Sequence, residues 1–229
     1  MLVFACSLCR GLAATQYSND MKRLIFSLMF VLSAAMACMA QSDEELMKQA
    51  MERYKDMQTL TAPVTQTKHN VALQKDQVAK GQFYFKKPAS MVLTFNDGKD
   101  MLLMRDHQFT MVSAGKATTM SGKNEQVEAL RSLLASFTAG EESDVALEDL
   151  ADVDVERDGA RLTMTVTPIV SDPKAKRRMM YTSYVVTIDT KEGALKTLRL
   201  NEKGKNYTQY DFGKFTVDAA VDDAVFEVR

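Results

Sequence analysis

The sequence predicts a mainly β protein with helices: a curled, up-and-down antiparallel sheet of about ten strands, its apolar face covered by two amphipathic helices. Three observations carry this. Short alternating segments recur from Thr59 to Phe212, separated by Asp-, Gly- and Lys-containing turns, with no βαβ rhythm. The stretch Gly81–Lys99, GQFYFKKPASMVLTFNDGK, reads as consecutive strands that place Phe83 and Phe85, then Met91, Leu93 and Phe95, on one face. Residues 42–57 and 124–138 carry apolar side chains at helical spacing. A sheet with so many strands needs curling or closure, and the helices give its apolar face something to pack on.

The chain has 229 residues. Its first 40 read as a leader outside the fold, leaving residues 41–229 as a single domain. Lys22 and Arg23 precede an apolar run, Leu24 to Leu32, too short to span a bilayer, and small residues follow up to Ala40, where cleavage is expected. Residues 1–20 read as an extension ahead of a start at Met21. Ala35-Met36-Ala37-Cys38 faintly resembles a lipid-attachment site, but alanine stands where leucine is usual, so a soluble periplasmic product is expected.

The first helix opens at Ser42-Asp43-Glu44-Glu45, a capping box, and presents Leu46, Ala50, Tyr54 and Met57, with Met47 and Met51 widening the stripe. Thr59 to His69 is a strand, with Pro63 arguing for an edge or a bulge. After the Gly81–Lys99 strands, with Pro88 at a strand end and Asp97-Gly98 as a hairpin signal, the meander continues through Met101–Met104, Phe109–Val112 and Ala117–Met120. A helix follows from an Asn124 N-cap to Thr138, with Val127, Leu130, Leu134 and Phe137 on one side and Gly140 at its end. Val145–Leu150 is a short helical turn. Strands resume at Val153–Arg157 and Arg161–Ile169, the second alternating Leu162, Met164 and Val166 with threonines. After the basic loop of Lys174, Lys176, Arg177 and Arg178, strands bear Tyr184, Val186 and Ile188, then Leu198 and Leu200, then Tyr210 and Phe212.

Composition removes several classes of function. Net charge is −1, with no long basic block, so there is no electrostatic footprint for nucleic acid. All three cysteines lie in the leader, which takes disulfides, thiolate catalysis and cysteine metal ligation from the rest of the chain. His69 and His107 have no metal-site spacing, and no Gly-Lys pair has the surroundings of a phosphate loop. The G-x-S-x-G elbow of hydrolases is also missing, so no catalytic residue, metal or cofactor is assigned and no enzyme is expected. Met91, Met101, Met104, Met111, Met120 and Met164 fall on predicted strands, where they either fill a core or line an adaptable cavity.

Four pieces, Val64-Thr65-Gln66, Gly81-Gln82-Phe83-Tyr84-Phe85-Lys86-Lys87-Pro88, the hairpin Asp97-Gly98-Lys99, and the run from Tyr207-Thr208-Gln209-Tyr210 to Phe226, stand in an order that resembles the outer-membrane lipoprotein carrier family, the LolA-like proteins. The resemblance implies an unclosed antiparallel β-barrel of about eleven strands with an α-helical lid over a hydrophobic cavity for lipoprotein acyl chains. It also implies a monomeric periplasmic chaperone, taking acylated lipoproteins from an inner-membrane ABC-type exporter to an outer-membrane acceptor. A rival reading is a sensing or interaction domain on the same fold. Cargo separates the two, and an interior both empty and tightly packed would defeat both.

On the resemblance, the acyl chains would be met by Phe83, Phe85, Met91, Leu93, Phe95, Met104, Leu130, Leu134 and Met164. Lys174, Lys176, Arg177 and Arg178 form the candidate docking surface, or else a solvated loop. The resemblance sets the family's lid-holding arginine at Val92, where this chain has no such group, which puts lid control in question. Burying one 16-carbon chain would release about 12 kcal/mol. Three would pass the practical ceiling of about 18 to 21 kcal/mol, so partial burial is expected.

Overall fold

The computed structural model describes residues 45–46, 54, 56–88, 90–105, 108–121, 124–138 and 147–228, all within one unit, Asp43–Arg229. The leader, most of the first predicted helix, His107 and Gly140 lie outside the described residues; of that helix, Glu45 and Leu46 are described and helical, whereas Tyr54 and Asp56 lie in a turn and Met57 has no regular structure.

Twelve strands form one antiparallel sheet. They are β1 (Thr59–His69), β2 (Gln77–Lys86), β3 (Ser90–Phe95), β4 (Asp100–Arg105), β5 (Gln108–Ser113), β6 (Lys116–Ser121), β7 (Ala151–Asp158), β8 (Arg161–Pro168), β9 (Tyr181–Asp189), β10 (Ala194–Glu202), β11 (Tyr207–Phe212) and β12 (Thr216–Val217). The order is β6-β5-β4-β3-β2-β1-β11-β10-β9-β8-β7, with β12 on β1 beside the end of β11. β6 and β7 are the free edges, so this is the unclosed barrel, and the helices α1 (Glu125–Thr138) and α2 (Leu147–Leu150) lie between them in the chain. A third helix, α3 (Pro173–Arg178), connects β8 to β9.

The inner face gathers one core from both halves of the sheet and from α1, including Phe83, Leu93, Met104, Leu130, Leu133, Met164, Tyr184, Leu198 and Tyr210. A second, smaller core lies on the outer face, where Phe226 is buried with Val92, Met101, Leu103 and Val112. The strand register explains the division. Phe83 pairs with Leu93, which pairs with Leu102, all inward, whereas Val92 pairs with Leu103, both outward.

Three local expectations change. Pro63 sits in a central strand, not at an edge or bulge: β1 pairs with β12 through Thr61 and with β11 from Val64 onward, so proline's missing donor falls at the gap between the two partners. The Pro63 carbonyl still accepts from Gly213 N at 2.8 Å. The basic loop is a helix, α3, because Pro173 occupies the first turn and the Asp172 carboxylate accepts from the amides of Lys174 and Ala175. Val92 is fully buried against the C-terminal segment on the outer face, so position 92 does not face α1.

Gly81 has a steric reason. A Cβ there would overlap the Thr94 carbonyl oxygen and the Phe95 ring, which lies over this position from the neighbouring strand.

Candidate functional site

Between the inner face and α1 lies a cleft lined almost wholly by apolar side chains. β2, β3 and β4 supply one wall with Phe83, Met91, Leu93 and Leu102; β9, β10 and β11 supply the other with Ile188, Leu195, Leu198, Leu200 and Phe212. Leu130 and Leu134 of α1 form the roof, Leu60 of β1 contributes from the sheet's centre, and Tyr54, Gly193 and Phe215 complete the lining. Free space within it is about 40 Å³, room for about three waters. The interior is therefore close to packed in this conformation, and a long acyl chain needs the roof to move.

Phe83, Met91, Leu93, Leu130 and Leu134 from the sequence-based set line this cleft. Phe85, Phe95, Met104 and Met164 are buried in the same core without lining it. Phe83 and Phe85 are thus turned inward, 3% and 2% exposed, as a wall assignment requires. Of the strand methionines, Met91 is at the cleft, Met104 and Met164 are core, Met101 belongs to the outer cluster, and Met111 and Met120 pack partly buried at the core's margin. The lining is mainly leucine and phenylalanine.

Aromatic rings join the two halves of the sheet beneath the roof. The Phe83 ring meets those of Phe212 and Phe215 edge-on, with centroids 5.4 and 6.0 Å away, and Phe212 stacks on Phe215 at 5.8 Å. Tyr54 approaches Phe215 edge-on at 6.3 Å, at the half-buried rim. Leu195, Phe215 and Gly193 escaped the sequence reading because they lie in or beside turns, and only sheet curvature brings them to the strand faces. Their apolar character next to turn signals was the available clue.

The roof helix is fastened at its N-terminal end. Asn124 Oδ1 accepts from Gln126 N at 3.1 Å, so the predicted cap is present. The Gln126 side chain then accepts from the backbone amides of Met180 and Tyr181, at 3.1 and 3.3 Å, and Tyr184 Oη donates to the Gln126 carbonyl at 2.9 Å. Gln126, Tyr181 and Tyr184 are all buried, so this clamp is shielded from water. The leucines facing the cleft lie further along α1. The clamp therefore ties the start of α1 to the first residues of β9.

Three phenols of the inner core are perturbed by their surroundings. Burial pushes the Tyr181 and Tyr184 hydroxyls well above the ordinary phenol range, and it pushes Tyr210 up to about 12, partly offset by a hydrogen bond from Gln66 Nε2 at 3.3 Å. Near neutral pH all three are uncharged, and the Tyr184 and Tyr210 hydroxyls act as polar ties inside an apolar interior.

His69 is half-buried, its Nδ1 2.7 Å from Asp76 Oδ1 and its ring stacked on Tyr207. Among the described residues, no group of three or more His, Cys, Asp or Glu side chains could hold a metal ion, and no helix is long and apolar enough to cross a membrane. An apolar cleft roofed by a helix can exclude water from a hydrocarbon guest.

Several solved structures are similar to this chain. One is a LolA superfamily protein from Nitrosomonas europaea: 9% identity, TM-score 0.40, covering 82% of this chain and 99% of that one. Another is a chain of the Pseudomonas aeruginosa MucA/MucB complex: 11% identity, TM-score 0.43, covering 82% of this chain and 62% of that one. The Mycobacterium tuberculosis lipoprotein LppX gives 14% identity, TM-score 0.37, and coverage of 79% and 99%. No curated protein matches the chain at a significant level. The family model described as outer membrane lipoprotein carrier protein LolA matches residues 55–229, from the approach to β1 to the last residue, and the chain belongs to that family.

Proposed function

We propose that this protein is a periplasmic carrier that takes the acyl chains of lipoproteins into the cleft beneath α1 and conveys them from the inner to the outer membrane. One observation carries the reading: in a chain of the lipoprotein carrier family, the space between the inner sheet face and α1 is lined by leucine, phenylalanine and methionine, with Leu130 and Leu134 of α1 closing it. An inner-membrane ABC-type exporter as donor and an outer-membrane acceptor complete the route.

The small free volume sets a condition on the mechanism. Each buried methylene contributes about 0.8 kcal/mol to binding, but the roof must first give up its own contacts with both walls. Separating Leu130 and Leu134 from the core offsets part of the gain, so net affinity stays below the full transfer value and release remains feasible. This is how a nearly filled interior serves a carrier.

The test is recovery of the protein from its own periplasm, followed by mass spectrometry of what is bound. Acylated proteins held in proportion to the carrier are expected. Free lipid alone would transfer the cleft to a sensing domain on the same fold, and cargo-free protein that takes up no fatty-acid probe would remove the binding role.

A further inference from the structure

Three connections meet at the end of the sheet away from Gly193 and Phe215. They are the β1–β2 loop at 70–76, the β8–β9 connection at 169–180 with α3, and the β10–β11 turn at 203–206. The register places them together, since His69 pairs with Tyr207 and Glu202 with Tyr181. Hydrogen bonds then join them: Val71 N donates to Asn206 Oδ1 at 2.9 Å, and the Lys203 ammonium donates to the Arg177 carbonyl.

Their surface has an uncommon composition. α3 exposes Lys174, Lys176, Arg177 and Arg178, and the adjoining turn exposes Lys203 and Lys205. Lys75 stands on the first loop. The carboxylates on these segments are Asp76, engaged with His69, and Asp172, engaged with the amides of α3. Among these cations stand aliphatic side chains held in water: Val71 is 57% exposed, Leu73 48%, Ile169 43% and Met180 38%. Large aliphatic groups at loop tips gain nothing from the fold.

We propose that this end of the sheet is a docking surface for an anionic lipid bilayer. The cations lie along a diffuse negative surface of phospholipid headgroups, and Val71, Leu73, Ile169 and Met180 reach the hydrocarbon just below them. An acidic patch on a protein would satisfy the first requirement and leave the aliphatic tips in water. Neither signal alone holds a protein to a membrane, and together they give shallow, reversible attachment. The surface goes beyond the carrier reading and does not depend on it: the roof helix is tied to Met180 and Tyr181 at this end, but the cleft residues Gly193, Leu195 and Phe215 lie at the other.

Flotation of the mature protein with lipid vesicles tests the surface. Vesicles of phosphatidylcholine with about one-third phosphatidylglycerol should bind it, more weakly as salt rises, and pure phosphatidylcholine should not. Replacing Lys174, Lys176, Arg177 and Arg178 together by glutamate should weaken binding by tenfold or more, with the thermal unfolding midpoint unchanged. The double replacement Val71→Ser with Leu73→Ser should weaken it less, by a factor that persists at low salt. Equal binding to neutral vesicles, binding to neither, or wild-type binding by the charge-reversed variant would overturn the proposal, as would capture of an acidic protein in place of vesicles. Uptake of a fatty-acid probe by the charge-reversed variant should equal wild type, so failure of the surface and failure of the cleft read out separately.

Discussion

The two faces of β3 differ in kind although both are buried. Leu93, 1% exposed, faces the cleft under α1, and Val92, 0% exposed, faces the C-terminal segment around Phe226. The outer contact is a fixed cover: Lys86 pairs with Asp223, the Asp218 carboxylate accepts from Gln58 N at 2.7 Å, and Thr59 Oγ1 donates to the Ala219 carbonyl at 2.6 Å. The inner contact is with a helix clamped at Gln126 and lined with leucines along the rest. Burial alone therefore does not mark a binding wall; what matters is whether the covering element can leave.

Alkaline pH should break the comparison most strongly, because the inner side holds the three raised phenols. Their folded-state values lie above the ordinary value of about 10, so the stability they confer is complete below pH 10 and is lost as pH rises through the folded values. For Tyr210 alone the loss approaches about 3 kcal/mol above pH 12. Urea unfolding from pH 8 to 12 should show a steep fall that Tyr210→Phe makes shallower. Ionisation of Tyr210 at pH 10 in the intact fold, read as the ultraviolet absorbance difference between wild type and Tyr210→Phe, would contradict it.

A second test uses adjacent residues. Val92→Phe should overfill the outer core and cost about 2 kcal/mol, with probe uptake unchanged. Leu93→Phe should intrude on the cleft, cost less than about 1 kcal/mol and reduce uptake. If the Val92 variant impairs uptake as much as the Leu93 variant, the division of the two faces is wrong.

The smallest effect is expected from Gln126→Ala. It leaves the amides of Met180 and Tyr181 without their acceptor in a buried setting, at a cost of about 1 kcal/mol. Amide exchange should accelerate throughout α1 while strands β1 to β4 stay protected. Unchanged exchange in α1 would show that the clamp does not govern the roof.

Much of the fold was legible because its signals are local. β3 reads Ser-Met-Val-Leu-Thr-Phe, nearly unbroken in apolar character, the pattern of a strand covered on both faces. The alternation of Phe83, Phe85, Met91 and Leu93 gave the correct inner phase, and Asn124 announced its helix through its own side chain. The outer cover was not legible. Its helical part is a 3-10 turn, Asp223–Phe226, too short for periodicity, and Val92 was set at a lid position by the family resemblance alone, since nothing local says which partner a two-faced strand meets on its second side. α3 was missed for a similar reason: six residues without an apolar stripe show only a cap and a proline. The cleft itself depends on which turns the sheet's curvature brings under α1, a non-local fact.

The strand order also bears on how the chain acquires its shape. β1 and β11, near opposite ends of the sequence, are neighbours at the middle of the sheet, and Gln66 reaches Tyr210 across 144 residues. Each half can zip as a meander, but the two halves join only when β11 arrives. Assembly that waits on such distant partners is slow. A cut between β6 and α1 would leave every rung of the ladder in place, whereas loss of the final strands would split the sheet through its centre.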